Sequence, residues 1–293
     1  MTGIPKPIAL INRTILTVLL LAIGNSAQTL QNLRTPDLNL VYYSNAHAYI
    51  IPHLARCFTT TLNYYEQFWN YKPSEPYNIF IEDFGDWANG GASAVPRNFV
   101  YVSIAPYLYV FDVAPANERM SLLMHHELVH VIAMDKATRR DNFWRKLYFG
   151  KVQQTATHPV SMLYAYQTTP RKFSPRWYHE GIAVFMETWM GGGVGRALGA
   201  YDEMVFRTLV HDSAYIYHLV GLESEGTAID FQVGANSYLY GTRFFNYLAS
   251  QYGPDKVIQW VSRTPDSRRY FSKQFKRVFG QPVAEEWSRW IDF

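Results

Sequence analysis

The strongest constraint on the fold is a largely apolar segment, residues 121–134, that carries two histidines four positions apart. Residues four apart share one face of an α-helix, so His126 and His130 would present two imidazoles to one point. Glu127 leaves the same helix beside the first histidine. A segment this apolar predicts a buried helix, in which the exclusion of water would strengthen the field of a bound cation.

The sequence His126-Glu-Leu-Val-His130 is the H-E-x-x-H pattern of zinc sites. In that pattern the histidines bind the ion at about 2.0–2.1 Å from each nitrogen, and the glutamate accepts a proton from a water molecule at the metal. The same letters also arise by chance on core helices. Catalytic zinc sites use three protein ligands, so the pattern requires a third ligand elsewhere in the chain.

The candidate for that ligand lies in the segment Trp177-Tyr-His-Glu-Gly-Ile-Ala-Val-Phe-Met-Glu187. Ser174 is a favourable N-cap and Pro175 a favourable first helical residue, so a helix is predicted to start here. Glu180 then lies about one turn into that helix. Because Gly181 has no side chain, the sequence predicts a close approach to the first helix that lets Glu180 complete the metal site.

Three other titratable side chains flank these candidates. Glu187 follows Glu180 by seven residues and shares its helical face. It is predicted either to accept a hydrogen bond from a ligand histidine or to be a surface carboxylate. His125 and His179 point to other faces of their helices, and we assign both to structural roles.

The two motifs resemble those of the gluzincin zinc metallopeptidases and are most similar to the Peptidase-MA-like domains. The second also resembles the Trp-x-x-Glu-Gly-x-x-x-x-x-Glu motif of the aminopeptidase N relatives. The resemblance runs through most of the chain that follows the N-terminal targeting segment, and it implies a zincin, thermolysin-like catalytic domain. It further implies Zn²⁺ as the cofactor, with Glu127 as the general base and three metal ligands, which are His126, His130 and Glu180.

A tyrosine downstream is a further candidate by the same resemblance. In the aminopeptidase relatives, the tyrosine of a Tyr-x-x-Gly sequence stabilises the oxyanion that forms when the carbonyl is attacked. Tyr238-Leu-Tyr-Gly241 matches that sequence, which implies this role for Tyr238. Tyr240 is the competing candidate, and simple packing at a helix start is the alternative for both.

Two departures from the aminopeptidases concern substrate choice. Glu180 follows His130 by 50 positions, a much longer spacing than in those enzymes, because residues 136–172 intervene. The aminopeptidases also hold the substrate's free amine with a glutamate in a Gly-Ala-Met-Glu-Asn edge motif. The corresponding Gly91-Ala-Ser-Ala-Val95 has no carboxylate. The sequence therefore predicts an endopeptidase.

Around the motifs, hydrophobic periodicity predicts an α+β fold. A small, twisted, mixed sheet and its helix would form one lobe, to about residue 135, and residues 173–293 a mostly helical lobe, with the zinc in the cleft between them. Three strands and one helix are predicted in the first lobe, at 38–43, 77–81, 99–103 and 46–69 respectively. The small-residue stretch 87–98 is predicted to be either a loop or bulged edge, or an edge strand to which an extended substrate adds.

Residues 136–172 are rich in basic and aromatic side chains. Three interpretations remain open for this segment. It could be a solvated excursion with a short helix, a lid over the cleft, or a patch that makes peripheral contact with a membrane surface.

The N-terminus has the pattern of a signal peptide, residues 1–27. Lys6 and Arg13 precede an apolar run, residues 14–24, and Ala27 ends a suitable cleavage site. The apolar run is shorter than the ~20 residues of a membrane-spanning helix, which favours removal over anchoring. We therefore expect residues 28–293 to form an exported catalytic domain, periplasmic or secreted.

Composition excludes some classes of function. The net charge of +3 is too small to indicate a nucleic-acid partner. The single cysteine, Cys57, excludes an internal disulfide and a cysteine-rich metal site, and we expect it to be a buried thiol. The sequence says nothing about the oligomeric state.

The motifs thus predict a zinc-dependent peptidase that acts on a peptide or protein substrate. One alternative is a non-catalytic zinc-binding module that presents its groove to a protein partner. Another is a hydrolase of a non-peptide amide. Glu127 favours an enzyme, because a binding site alone has no need of a base at that position.

Overall fold

The computed structural model describes residues 29–83, 85, 90–105, 118–223 and 235–293. The predicted signal peptide and the first residues of the predicted 87–98 stretch lie outside the described residues. Within the described ranges, no helix combines the length and the apolar character that crossing a bilayer requires.

Within these ranges the first lobe contains a five-stranded mixed sheet in the order β1-β2-β3-β5-β4. Strands β2, β3 and β5 are parallel and central, and β1 and β4 pair antiparallel at the two edges. The sequence predicted the three parallel strands but not β1, which is almost fully exposed and lacks an apolar alternation. The strands are β1 (Leu30–Arg34), β2 (Leu38–Tyr43), β3 (Tyr77–Glu82), β4 (Gly90–Ser93) and β5 (Phe99–Ser103).

Helices cover the sheet and build the second lobe. The predicted α+β class, with a small mixed sheet and a mostly helical region, is therefore confirmed. Short 3₁₀ turns lie at Pro170–Phe173 and Arg196–Leu198. The described α-helices are α1 (Ser44–His47), α2 (Ile51–Phe68), α3 (Arg119–Asp135), α4 (Arg139–Leu147), α5 (Ser161–Thr168), α6 (Arg176–Met190), α7 (Ala200–His211), α8 (Leu219–Glu223), α9 (Asn236–Tyr252), α10 (Pro254–Val261), α11 (Phe271–Phe279) and α12 (Val283–Asp292).

The predicted helix over 46–69 is divided in two. The chain forms α1, a turn at 48–50 and then α2, with Pro52 in its first turn. Proline has a fixed φ and no N–H, so it suits the first turn of a helix and not its interior. Cys57, predicted to be a buried thiol, is only half-buried on α2.

The apolar helix α3 lies between the two lobes. It packs on α2 and β4 on the sheet side and on α6 on the helical side. Nearly all of its residues are therefore buried, including both histidines and the glutamate of the H-E-x-x-H pattern. The chain before α3 enters the helix through Glu118, whose side chain accepts hydrogen bonds from two backbone N–H groups of the first turn.

A close crossing of α6 and α9 holds the helical lobe together. A Cβ on Gly181 would lie 2.7 Å from the backbone of Gly241, and a Cβ on Gly241 would lie 2.2 Å from the Trp177 carbonyl oxygen. The sequence correctly predicted that Gly181 allows a close approach, but the partner helix is α9 and not α3. The predicted helix start is also one residue early, since Pro175 occupies the N-cap position and α6 begins at Arg176.

Residues 136–172 are more ordered than the sequence predicted. Helix α4 begins with a capping box in which Thr138 and Asp141 bond reciprocally to each other's backbone N–H. The buried Arg145 and Lys151 then form ion pairs with Asp135 at 3.1 and 2.9 Å. These buried pairs fix the segment to the end of α3.

Candidate metal centre

Three side chains from two helices converge between the lobes. His126 and His130 lie on consecutive turns of α3, and Glu180 lies on α6. The two histidine Nε2 atoms are 3.1 Å apart. Glu180 Oε2 lies 3.3 Å from His130 Nε2 and 3.5 Å from His126 Nε2. The structure therefore brings all three predicted ligands together.

This triangle has the size that a tetrahedral zinc site requires. Bonds of about 2.0–2.1 Å at tetrahedral angles separate neighbouring ligand atoms by ~3.3 Å. Glu180 Oε2 is shielded from solvent and accepts no hydrogen bond from the described residues, as expected of an oxygen directed at a cation. Two imidazoles and a carboxylate are donors that suit zinc and also other first-row divalent metals such as iron(II). The residues therefore fit a zinc ion.

The charges of the cluster also favour a cation. Burial works to lower the pKa of His126, but the Glu180 and Glu187 carboxylates outweigh it and raise the pKa to about 10. Burial works to raise the pKa of Glu180, but His130 and His126 hold it well below its ordinary value. The pocket thus attracts positive charge, which a divalent ion would supply in place of a proton.

Glu187 orients the His126 ring. Its Oε2 accepts a hydrogen bond of 2.7 Å from His126 Nδ1, which leaves Nε2 facing the other ligand atoms. Burial works to raise the pKa of Glu187, but Arg196 and His126 outweigh it and lower the pKa to about 2. Glu187 is 1% exposed, which excludes the alternative of a surface carboxylate.

Arg196 is a site residue that the sequence did not reveal. Its Nε and one Nη donate to the two oxygens of Glu187 at 2.7 and 2.8 Å. The chain reaches this position by turning back along α6 after the helix ends at Met190. Gly195 permits the return, because a Cβ there would lie 2.3 Å from Thr188 Oγ1. The glycine run at residues 191–193 was the available signal in the sequence, because it indicates the end of a helix. It does not identify Glu187 as the partner of the Arg196 guanidinium.

Glu127 lies beside the ligand atoms, next to strand β4. Its Oε1 lies only 3.0 Å from the point that a Cβ on Gly90 would occupy. Its Oε2 is buried and accepts no hydrogen bond from the described residues. Burial raises the pKa of Glu127, with partial opposition from His126 and His130. A buried carboxylate with an unused oxygen and a raised pKa is suited to accept a proton and return it.

The two candidate tyrosines occupy different environments. The Tyr238 ring stacks on His126 at 6.2 Å between ring centroids, and the Arg196 guanidinium lies 5.3 Å from the Tyr238 ring centroid. Burial, and then the Glu180 charge, raise the pKa of Tyr238, so its hydroxyl remains a donor at neutral pH. Tyr240 instead lies in the aromatic core, where its hydroxyl accepts from the backbone N–H of Tyr217. The structure thus places Tyr238, and not Tyr240, at the site.

The two neighbouring histidines face other groups. His125 lies against the Tyr65 hydroxyl at 3.2 Å, and His179 Nε2 lies 3.1 Å from the carbonyl oxygen of Arg171. Burial lowers the pKa of each to about 4, so both are neutral at physiological pH. These placements agree with the structural roles assigned from the sequence.

Comparisons with protein-family models and with curated proteins found no match to this chain. A function for this chain is therefore inferred from the geometry and chemistry of its own residues.

Proposed function

We propose that this protein is a zinc-dependent peptidase, and specifically an endopeptidase. One observation carries the proposal. Three ligand atoms lie 3.1–3.5 Å apart, and Glu127, whose charge interacts with all three ligand residues, has a buried Oε2 that accepts no hydrogen bond from the described residues. A binding site needs the three ligands alone, whereas hydrolysis also needs a base next to the ion.

His126, His130 and Glu180 would hold the ion, and Glu187 would keep the His126 ring in its ligating orientation. Zinc at this position would activate a water molecule and polarise the scissile carbonyl. Glu127 accepts the proton from the attacking water and delivers it to the leaving amine. The Tyr238 hydroxyl donates a hydrogen bond to the oxygen on which negative charge develops.

Strand β4 supports the choice of a peptide as substrate. It is the outer strand on its side among the described strands, and α3 packs against it. An extended peptide pairs readily with such a strand through main-chain hydrogen bonds. A peptide bound there would cross the site beside Glu127, because Gly90 of this strand approaches that carboxylate.

The test joins metal analysis of the purified protein with cleavage of a mixed peptide library. Glu127→Gln removes the base but no ligand, so zinc content should be unchanged while cleavage falls by about 10²–10⁴-fold, the usual contribution of a general base. Substitution of the neighbouring histidine, His125→Gln, is the matched control and should leave both quantities nearly unchanged. A wild-type protein that binds zinc but cleaves no peptide would instead support the non-catalytic module.

A further inference from the structure

A second group of potential metal ligands lies outside the candidate metal centre. His53 and Cys57 are four residues apart on α2, and Glu118 precedes α3. Cys57 Sγ lies 3.6 Å from His53 Nε2 and 3.7 Å from Glu118 Oε2. His53 Nε2 lies 3.1 Å from Glu118 Oε1. One sulfur, one imidazole nitrogen and one carboxylate thus meet at a single point on the surface.

These separations match a tetrahedral site that contains one thiolate. With about 2.3 Å from zinc to sulfur and about 2.0–2.1 Å to nitrogen or oxygen, a tetrahedral site separates sulfur from either lighter ligand atom by ~3.6 Å. It separates nitrogen from oxygen by ~3.3 Å. The observed sulfur–nitrogen distance of 3.6 Å follows this pattern. The sulfur lies 3.7 Å from Glu118 Oε2 and the nitrogen 3.1 Å from Glu118 Oε1, so either oxygen of this carboxylate could serve as the ligand atom.

We propose that His53, Cys57 and Glu118 bind a second divalent ion of the zinc and cobalt class. A mixed sulfur, nitrogen and oxygen donor set favours these borderline ions over magnesium or calcium, which take oxygen ligands. The side chains of His53 and Glu118 are 41% and 48% exposed, so an ion and a coordinating water can reach the point directly from solvent.

Glu118 can bind the ion without giving up its role at the start of α3. It accepts hydrogen bonds from the backbone N–H groups of Met120 and Ser121, one on each oxygen. A carboxylate has about four lone-pair sites, so these two backbone bonds do not by themselves prevent it from binding an ion. Burial, followed by the charge of Glu118, raises the pKa of Cys57 to about 11. The thiol is thus a poor nucleophile on its own, and a metal ion would have to displace its proton.

The ion would join α2 to the N-terminus of the helix that carries the candidate metal centre. Glu118 lies eight residues before His126, on the order of 12 Å along the helix axis, so one ion cannot serve both places. A bound ion would therefore fix the start of α3 in position against α2. The proposal is independent of peptidase activity, because none of its ligands belongs to the candidate metal centre.

Cobalt spectroscopy tests the proposal, because Cys57 is the only cysteine in the chain. A thiolate-to-cobalt charge-transfer band in the near ultraviolet can therefore come from this residue alone. Titration of the metal-stripped protein with Co²⁺ should produce the band, Cys57→Ser should abolish it, and His53→Ala or Glu118→Gln should weaken Co²⁺ binding at least tenfold. The variant His126→Ala/His130→Ala should retain the band, which separates this site from the other.

Two outcomes would overturn the proposal. One is the absence of the band in the wild-type protein at saturating Co²⁺. The other is a band that survives with unchanged affinity in both His53→Ala and Glu118→Gln, since the cysteine would then be binding cobalt without its two neighbours. Glu118→Gln keeps one of the two oxygen acceptors at the helix start, and His53→Ala leaves both, so the comparison does not depend on complete loss of the N-cap.

A different observation, on the surface of residues 136–172, carries a second proposal. Helix α4 exposes basic and apolar side chains on one face, since Arg139, Phe143 and Lys146 recur at helical spacing. Phe149 follows the helix and is 99% exposed. Ring contacts join Phe143 to Trp144, Trp144 to Tyr148 and Tyr148 to Tyr164, which extends the surface to α5. The basic-aromatic face is defined by Arg139, Arg140, Phe143, Lys146, Leu147, Phe149, Met162 and Leu163.

The charge of this face is of one sign. Asp141 is the only acidic residue of the 136–172 segment, and it is buried against Arg263. The exposed charges of α4 are thus all positive. Phe149 also has a φ of 57°, a left-handed conformation that is unfavourable for a bulky residue. Phe149 follows the end of α4, where a left-handed residue commonly terminates a helix, and its ring is left fully in solvent.

We infer that the basic-aromatic face docks on an anionic lipid bilayer. Aromatic and aliphatic side chains would enter the boundary between headgroups and acyl chains, and the arginines and lysine would pair with lipid phosphates. This inference rests on the proposed function only in that it places the peptidase at a membrane. Its test measures lipid binding and does not require catalysis.

Cosedimentation with vesicles tests the inference. The protein should bind vesicles that contain phosphatidylglycerol, less at high salt, and should not bind vesicles of phosphatidylcholine alone. Phe143→Ser/Phe149→Ser and Arg139→Gln/Arg140→Gln should each reduce binding at least fivefold. The matched control is Val210→Ser, which removes from α7 an apolar side chain about as exposed as Phe143.

Three results would contradict the inference. The protein could fail to bind phosphatidylglycerol vesicles, or both double variants could bind as well as the wild type. Sedimentation velocity could instead show a dimer that Phe143→Ser/Phe149→Ser dissociates, in which case the face binds a second copy of the chain.

Discussion

At the scale of single residues, the ligand triangle makes a direct prediction about metal content. His126→Ala or His130→Ala should leave two ligands, which hold zinc far more weakly than three. Zinc per chain, measured by atomic emission after dialysis, should fall close to zero in each variant. His211→Ala is the control, because this histidine is exposed at the end of α7 and pairs with Asp212, so its loss should not affect metal content. Full zinc occupancy in both ligand variants would refute the assignment.

The contrast between Tyr238 and Tyr240 makes a second prediction. Removal of a donor to a developing oxyanion commonly costs ~2.7–4 kcal/mol of transition-state stabilisation. Tyr238→Phe should therefore lower kcat by about 10²–10³-fold with little change in zinc content or Tm. Tyr240→Phe loses a hydrogen bond from the backbone of Tyr217 and should lower Tm while kcat is preserved. If the effects on kcat are reversed, or absent in both, the donor is another group.

The site residues that could be predicted from the sequence are those that the geometry of a single helix brings together. His126 and His130 share a face because of helix geometry, and Glu187 follows Glu180 by two turns for the same reason. Arg196 could not be predicted, since it reaches Glu187 only through a turn whose direction depends on the contact between Gly195 and Thr188.

At the scale of elements, the sequence predicted strands and helices better than their partners. The three parallel strands have apolar alternation, whereas β1 is exposed and gave no such signal. The close approach permitted by Gly181 was evident from its lack of a side chain. Its partner, α9, was not evident, because the choice between two helices depends on how all of their faces pack.

The anchorage of residues 136–172 to α3 makes a third prediction. Asp135 is buried and pairs with Arg145 and Lys151, and its removal leaves both charges without this partner. Asp135→Asn should therefore destabilise the fold by ~3–5 kcal/mol, measured by urea denaturation at neutral pH. The control is Glu203→Gln, which also removes a carboxylate paired with two arginines but at an exposed position, and which should change stability little.

The same carboxylate predicts a dependence of stability on pH. Burial works to raise the pKa of Asp135, but Lys151 and Arg145 outweigh it and lower the pKa from 3.8 to about 2. A pKa that is lower in the folded state stabilises the fold above the unfolded value, and this stabilisation is lost as pH falls from 3.8 towards 2. The Asp135→Asn variant should lose less stability than the wild type over that interval. Equal losses would show that other groups govern the acid transition.

At the scale of the whole molecule, the candidate metal centre lies where the two lobes meet. Helix α3 carries His126, Glu127 and His130, α6 carries Glu180, and α9 carries Tyr238. Strand β4 contributes the adjacent sheet edge. Three helices and a strand therefore contribute to the candidate site, and buried ion pairs tie the long segment between α3 and α6 to the end of α3.

The last prediction concerns where the protein acts. We propose that it is exported and that residues 1–27 are removed, because Lys6 and Arg13 precede an apolar run that is too short to span a bilayer comfortably. Mass spectrometry of the secreted or periplasmic protein should then find an N-terminus near Gln28. Leu19→Arg/Leu20→Arg interrupts the apolar run and should leave the full-length chain inside the cell. Recovery of the exported protein with Met1 still attached would instead indicate that the segment serves as a membrane anchor.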